Sequence, residues 1–170
     1  MTYYGAKEMA ASFRTVRKNT IQVAEDIPAD QYAYKATPEV ESVGDMLAHV
    51  AVYTHWAHKL HGLDRKTYVT FEDFGAYRAE TDALQKGLQS KDEIVAALKA
   101  NGERFADWLD SLTDEQLGEK VSFPPPVQPP SRTRFEMLLS VKEHEMHHRA
   151  KLMLIERLLG IVPHLTRARQ

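Results

Sequence analysis

The chain has 170 residues, 43% hydrophobic and 27% charged, with a formal net charge of −2 and no cysteine. That length and balance imply one globular domain over 1–170, and the missing cysteines exclude disulfides, thiolate metal ligands and a cysteine nucleophile. The charge gives no footprint for nucleic acid, and no apolar run approaches the roughly 20 residues of a membrane span. The N-terminus has no secretory h-region, so a cytoplasmic protein is expected, with the basic tail Arg167–Arg169 solvated.

Helical periodicity dominates from the start. Met9, Phe13, Val16, Thr20 and Val23 form an apolar stripe that predicts a helix over 6–26, stopped by Pro28. A loop covers 28–41. Ser42 and Asp45 then form a capping box, with Asp45 reaching back to the Ser42 amide, and open a second helix that ends near Gly62. Residues 63–89 mix polar and aromatic side chains and read as a long connection holding a short helix. Ser90 and Glu93 cap a third long helix, whose Ile94, Leu98, Phe105 and Leu109 carry it to about Leu112. The stretch SFPPPVQPP cannot be helix interior. Thr133 and Glu136 cap the last long helix, which ends at Gly160 with Arg157 in its final turn. Four long helices and almost no strand predict an all-α four-helix bundle. Its long second and third connections fit a crossover topology, or loops that cover one end of the bundle.

The last helix carries KEHEMHHRAKL, residues 142–152. With His144 at zero and about 100° per residue, His148 falls at about 40°, while Met137, Val141, Ile155 and Leu159 fall between about 20° and 60°. Two histidines thus occupy the apolar stripe at i, i+4, a spacing that can chelate one ion from a single helix. His147 lies near −60° and Glu145 near 100°, on the flanks, by the same roughly 100° step. In DMLAHVAVYTHWAHKLHG the same arithmetic puts Met46, Tyr53, Trp56 and Leu60 within about 60° of His49. His55, His58 and His61 point to the opposite side and read as a surface stripe. His49 is therefore the natural third ligand. A set of His49, His144 and His148 would leave an open coordination position, the pattern of catalytic rather than structural zinc. Three imidazoles also suit nickel, iron(II) or manganese.

The segment also matches H-E-x-x-H, the zinc-protease signature, with Glu145 as general base. The rest of that reading fails. An extended metzincin motif needs glycine at 151 and histidine at 154, where the chain has Lys151 and Leu154. Only residues 149–170 follow His148, and the nearest carboxylate, Glu156, lies two turns along the same helix.

His49 within DMLAHVAVYTHW after the capped SVGD start, together with H-x3-H-R in HEMHHRAKL, resembles the DinB/YfiT-like superfamily of metal-dependent proteins. The likeness covers nearly the whole chain, including PADQYAYKATPE at 28–39 and the LTDEQL segment. It implies a four-helix bundle whose metal, often nickel or zinc, is held at His49, His144 and His148. It also implies a homodimer and a small-molecule substrate. The activity it points to is thiol-dependent group transfer, an S-transferase using a low-molecular-weight thiol. A metal-dependent hydrolase is the lesser enzymatic alternative, and a non-catalytic metal-binding or partner-binding bundle is the other. Ala150 and Lys151 stand where the family commonly has glycine and glutamine, and His147 where its members vary, so no detailed substrate carries over. Residues facing the ligands are Tyr53, Trp56, Met46, Met137 and Val141. Tyr53 is the candidate for a hydrogen-bonding catalytic role and Glu145 for a base, while Arg149 reads as a surface residue or a partner for an anionic group.

Overall fold

The computed structural model describes residues 4–168. Helix α1 spans Ala6–Asp26 and buries the predicted stripe Met9, Phe13, Val16, Thr20 and Val23. Helix α2, Val43–His58, starts where Ser42 Oγ accepts the Asp45 amide at 3.1 Å. The reciprocal half of that cap differs from expectation. Ser42 Oγ donates to the Asp45 carboxylate at 2.6 Å, so Asp45 returns to the hydroxyl instead of the backbone amide.

Beyond His58 the helix continues through one π turn, Lys59–Leu63. Residues 63–89 correct the sequence expectation, because they hold a full helix, α3, over Phe71–Lys86. Thr70 and Asp73 cap it reciprocally. Among its side chains only Tyr77 and Thr81 are buried, which is why its apolar period is weak.

Helix α4, Lys91–Asp110, starts at the predicted Ser90–Glu93 box. A short α5, Asp114–Gly118, leads into β1, Lys120–Ser122, which pairs antiparallel with β2, Ser131–Thr133, across the proline-rich loop. Helix α6, Arg134–Leu158, opens at the Thr133–Glu136 box. It closes in a Schellman motif: Gly160 takes φ 78, its amide donates to Arg157 O at 3.1 Å, and the Ile161 amide donates to Glu156 O at 2.8 Å.

Helices α1, α2, α4 and α6 form a four-helix bundle, with α3 packed outside against α2. Helix α1 packs on α4 and α6, and α2 packs on the same two, so α1 and α2 stand diagonally across the core. Side-chain pairs give the directions. Tyr4 meets Phe135 and Asp26 meets Arg167, so α1 and α6 run parallel. Arg14 meets Asp107 while Lys99 meets Glu25, so α4 runs against α1. A crossover is present, but not wholly where expected: the α1–α2 and α4–α6 connections pass between diagonal helices, whereas the long α2–α4 connection joins neighbours.

Arg17, 3% exposed, lies where the four bundle helices meet. It donates to Glu145 of α6 at 2.9–3.1 Å, to Leu98 O of α4 at 3.0 Å and to Val50 O of α2 at 3.3 Å. Gly102 of α4 makes room for it, because a β-carbon there would sit 2.7 Å from Arg17 Cγ. In most helix interiors Gly→Ala adds about 1 kcal/mol of stability. Here Gly102→Ala is expected to destabilise by about 1–3 kcal/mol through overpacking. Urea denaturation checks the sign, and a stabilised variant would contradict the packing described.

Candidate metal centre

His49 sits on α2, and His144 and His148 lie one turn apart on the antiparallel α6. Their ring nitrogens converge. His144 Nε2 lies 3.2 Å from His49 Nε2 and 3.1 Å from His148 Nε2, and one ligand atom from each residue falls within 4.8 Å of the others. A tetrahedral ion with metal–nitrogen bonds of about 2.0–2.1 Å places its nitrogen ligands roughly 3.3 Å apart, so the spacing fits a single small divalent ion. No carboxylate belongs to this cluster among the described residues.

The electrostatics agree with the geometry. Burial, followed by the neighbouring His148 and His49, pushes His144 down to about 3, and burial with His49 pushes His148 down to about 4. Both rings are therefore neutral at pH 7, the form in which imidazole offers a lone pair. Packing orients the rings. Tyr53 stacks on His144 with centroids 3.6 Å apart and planes 10° from parallel. The Nδ1 atoms of His144 and His148 are buried and make no hydrogen bond, so carboxylate or carbonyl partners do not set these rings as they do in many zinc sites.

A cavity of about 790 Å³ opens beside the cluster, between α2 and α3. His49 is the triad member that lines it, with Tyr53, Trp56, Phe74 and Tyr77 as an aromatic wall and Asp45, Arg78 and Asp82 among its polar residues. Of the residues expected to face the ligands, Tyr53 and Trp56 line this cavity, whereas Met46, Met137 and Val141 are buried in the core. The α3 side of the wall was not anticipated, because only a short helix was expected within 63–89. The reciprocal Thr70–Asp73 cap was the signal that could have revealed it.

Three flanking residues differ from the sequence reading. Glu145 is not poised as a base: it is 2% exposed and its carboxylate is bound by Arg17. At about 100° from His144 it faces α1 instead of the histidines. His61 is not on the surface. It is 4% exposed, and its Nδ1 lies 3.0 Å from Arg134 Nη1, so it accepts that donor. The π turn at Lys59–Leu63 advances the chain by a smaller angle per residue and rotates His61 inward. Its two companions are half-buried and partnered, His55 by Glu80 and His58 by the edge of Trp108. Arg149 is also half-buried and donates to Val16 O at 3.2 Å, so it is not a surface residue. His147 is exposed, as its flank position predicts. Of the basic tail, Arg167 pairs with Asp26, and Arg169 lies outside the described residues.

The fold and the cluster can now be set beside known proteins. The sequence profile of the DinB family matches residues 1–169. The chain belongs to the DinB family. Among solved structures, YfiT from Bacillus subtilis superposes with a TM-score of 0.70 at 18% identity, covering 95% of this chain and 91% of its own. It is described as a probable metal-dependent hydrolase with an unusual four-helix bundle topology. An uncharacterised protein from Clostridium difficile 630 gives a TM-score of 0.68 at 17% identity, covering 92% and 98%. A DinB-like protein from Bacillus subtilis, YjoA, gives 0.57 at 22%, covering 90% and 92%. At these identities the three likenesses establish the four-helix fold of this DinB-family chain. No curated protein sequence matches it. None of its helices is long and apolar enough to cross a membrane, among the described residues.

Proposed function

We propose that this DinB-family protein is a metal-dependent enzyme in which His49, His144 and His148 hold one divalent ion, zinc or nickel before iron or manganese, at the mouth of the α2–α3 cavity. The observation that carries the reading is the convergence of three imidazole nitrogens beside a cavity large enough for a small-molecule substrate. Such an ion keeps its full charge and makes a thiol or water in its open position more acidic.

Of the two chemistries, transfer to a low-molecular-weight thiol is favoured by what surrounds the cluster. Hydrolysis of a poor leaving group needs a positioned base and acid; Glu145, the carboxylate that follows His144, is held by Arg17, and Asp45 on the cavity wall is bound by the Ser42 hydroxyl. Thiol attack on an electrophile needs only a thiolate and an oriented partner. The hydrolase reading keeps one support, the description of YfiT as a probable metal-dependent hydrolase.

Tyr53 is the side chain best placed to act on a substrate. Its ring stacks on His144, meets Trp56 edge-on at 5.6 Å and lies in the cavity wall beside the triad. Burial raises its pKa, so it stays a neutral donor at pH 7. Tyr53→Phe is expected to retain metal and lose turnover by roughly 100-fold or more. Unchanged turnover would remove Tyr53 from the mechanism.

The function itself is tested by screening thiols against monochlorobimane and 1-chloro-2,4-dinitrobenzene, with ester substrates in parallel. Chelator-sensitive thiol transfer supports the reading. Chelator-sensitive ester cleavage alone would favour the hydrolase. No turnover on either arm would favour a binding protein. The reading includes a homodimer that would cover Leu154 and Leu158, exposed one turn apart on α6. Sedimentation velocity checks that.

A further inference from the structure

The triad lies on two helices whose mutual packing is largely apolar, and apolar contact is non-directional. A slide of one residue along a helix is a displacement of about 1.5 Å. That is enough to break a cluster whose nitrogens lie 3.1–3.2 Å apart. Something directional has to set the register of α2 against α6 near the histidines. Among the described residues one side chain donates to both helices there. Arg17 reaches Val50 O, the residue after His49, and the Glu145 carboxylate, the residue after His144. The same guanidinium is tied to α4 at Leu98 O. Both members of the ion pair are almost fully enclosed, at 4% and 3% side-chain exposure.

We infer that Arg17, with Glu145 as its counter-charge, is a positioning residue for the histidine centre: its planar fork fixes α2 and α6 at the positions next to His49 and His144. The role suits arginine chemistry. A guanidinium offers several donors in a fixed plane, so it specifies distance and direction together. It also explains why an ion pair sits in this core. A buried pair often contributes no more stability than apolar residues of the same volume would, and its retention calls for another role. Gly102 completes the device by leaving the space through which the Arg17 stem passes.

The inference rests on reading the triad as a metal centre, and the experiment separates the two. The double variant Arg17→Met/Glu145→Met removes both charges without stranding either. Cobalt(II) is titrated into metal-free wild type and variant, following affinity and the visible absorption of the bound ion. The wild type is expected to bind one cobalt. The double variant should keep its unfolding midpoint, bind cobalt at least about tenfold more weakly and show a shifted absorption band. Arg17→Lys, which keeps the charge but loses the fork, should fall between them. Leu109→Ala, a core truncation between α1 and α4, should lower stability while leaving cobalt affinity and spectrum unchanged. A folded double variant with wild-type affinity and spectrum overturns the proposal. Should the double variant not fold, Gly102→Ala carries the same test, because it displaces Arg17 with both charges present. Wild-type cobalt binding in that variant overturns the proposal equally. If the wild type binds no cobalt, the metal reading of the triad fails, and this proposal falls with it.

Discussion

His144→Ala is expected to lose stoichiometric divalent metal, with affinity falling by more than about 100-fold, while His147→Ala keeps it. The asymmetry follows from geometry. His144 Nε2 is the centre of the cluster, 3.2 Å from His49 and 3.1 Å from His148, and its removal leaves two nitrogens with no common neighbour. Loss of an outer partner of a metal-bound histidine commonly costs 10–100-fold in affinity, so loss of the ligand itself should exceed that. His147 is one residue from His148 and touches it edge-on at 5.6 Å, but it is exposed and outside the cluster. Isothermal titration with zinc and with nickel on both variants makes the comparison. Equal affinities would show that proximity in sequence, and not the helical face, had misled the assignment.

Glu156→Met is expected to stabilise the protein at pH 8 by about 3 kcal/mol more than it does at pH 4.5. Glu156 is fully buried on α6, and neither carboxylate oxygen has a hydrogen-bond partner. Burial, followed by the charge of Asp26, pushes its carboxyl up from 4.5 to about 7, against smaller opposing effects of Arg167 and Arg157. The folded state therefore holds the proton more tightly than the unfolded chain. Its stability is intact below about pH 4.5 and is lost as pH rises through about 7. His61 works in the opposite sense. Burial and then Arg134 push it down to about 3, so its contribution is present above 6.5 and lost as pH falls towards about 3. Comparing wild type with Glu156→Met at each pH, both free of metal, cancels His61 and isolates the carboxyl. Urea midpoints measured across the range decide it, and a difference independent of pH would mean that Glu156 is not buried as described.

Much of the site was legible because helical angles survive into the structure. The stripe that contains His144 and His148, and the face of α2 that contains His49, needed only a step of about 100° per residue. The limits of α1 and the caps of α4 and α6 were equally readable, since Pro28, Ser90, Thr133 and Gly160 mark them with local chemistry. Failures came where regularity broke or where information was non-local. His61 was misplaced because a π turn changes the step just before it. Helix α3 is longer than the short helix expected in 63–89, because a helix packed outside the bundle buries only Tyr77 and Thr81 and shows little period. The role of Glu145 depended on Arg17, whose α1 approaches α6 only after the diagonal connections are made. No local pattern reports that meeting.

X-ray absorption at the metal edge of protein loaded with one equivalent of zinc or nickel tests the central claim most directly. The structure predicts three imidazole nitrogens at about 2.0–2.1 Å and the remaining position filled by a water oxygen or an added thiol. A first shell with fewer than three imidazoles, or one that includes a protein carboxylate, would contradict the assignment of His49, His144 and His148.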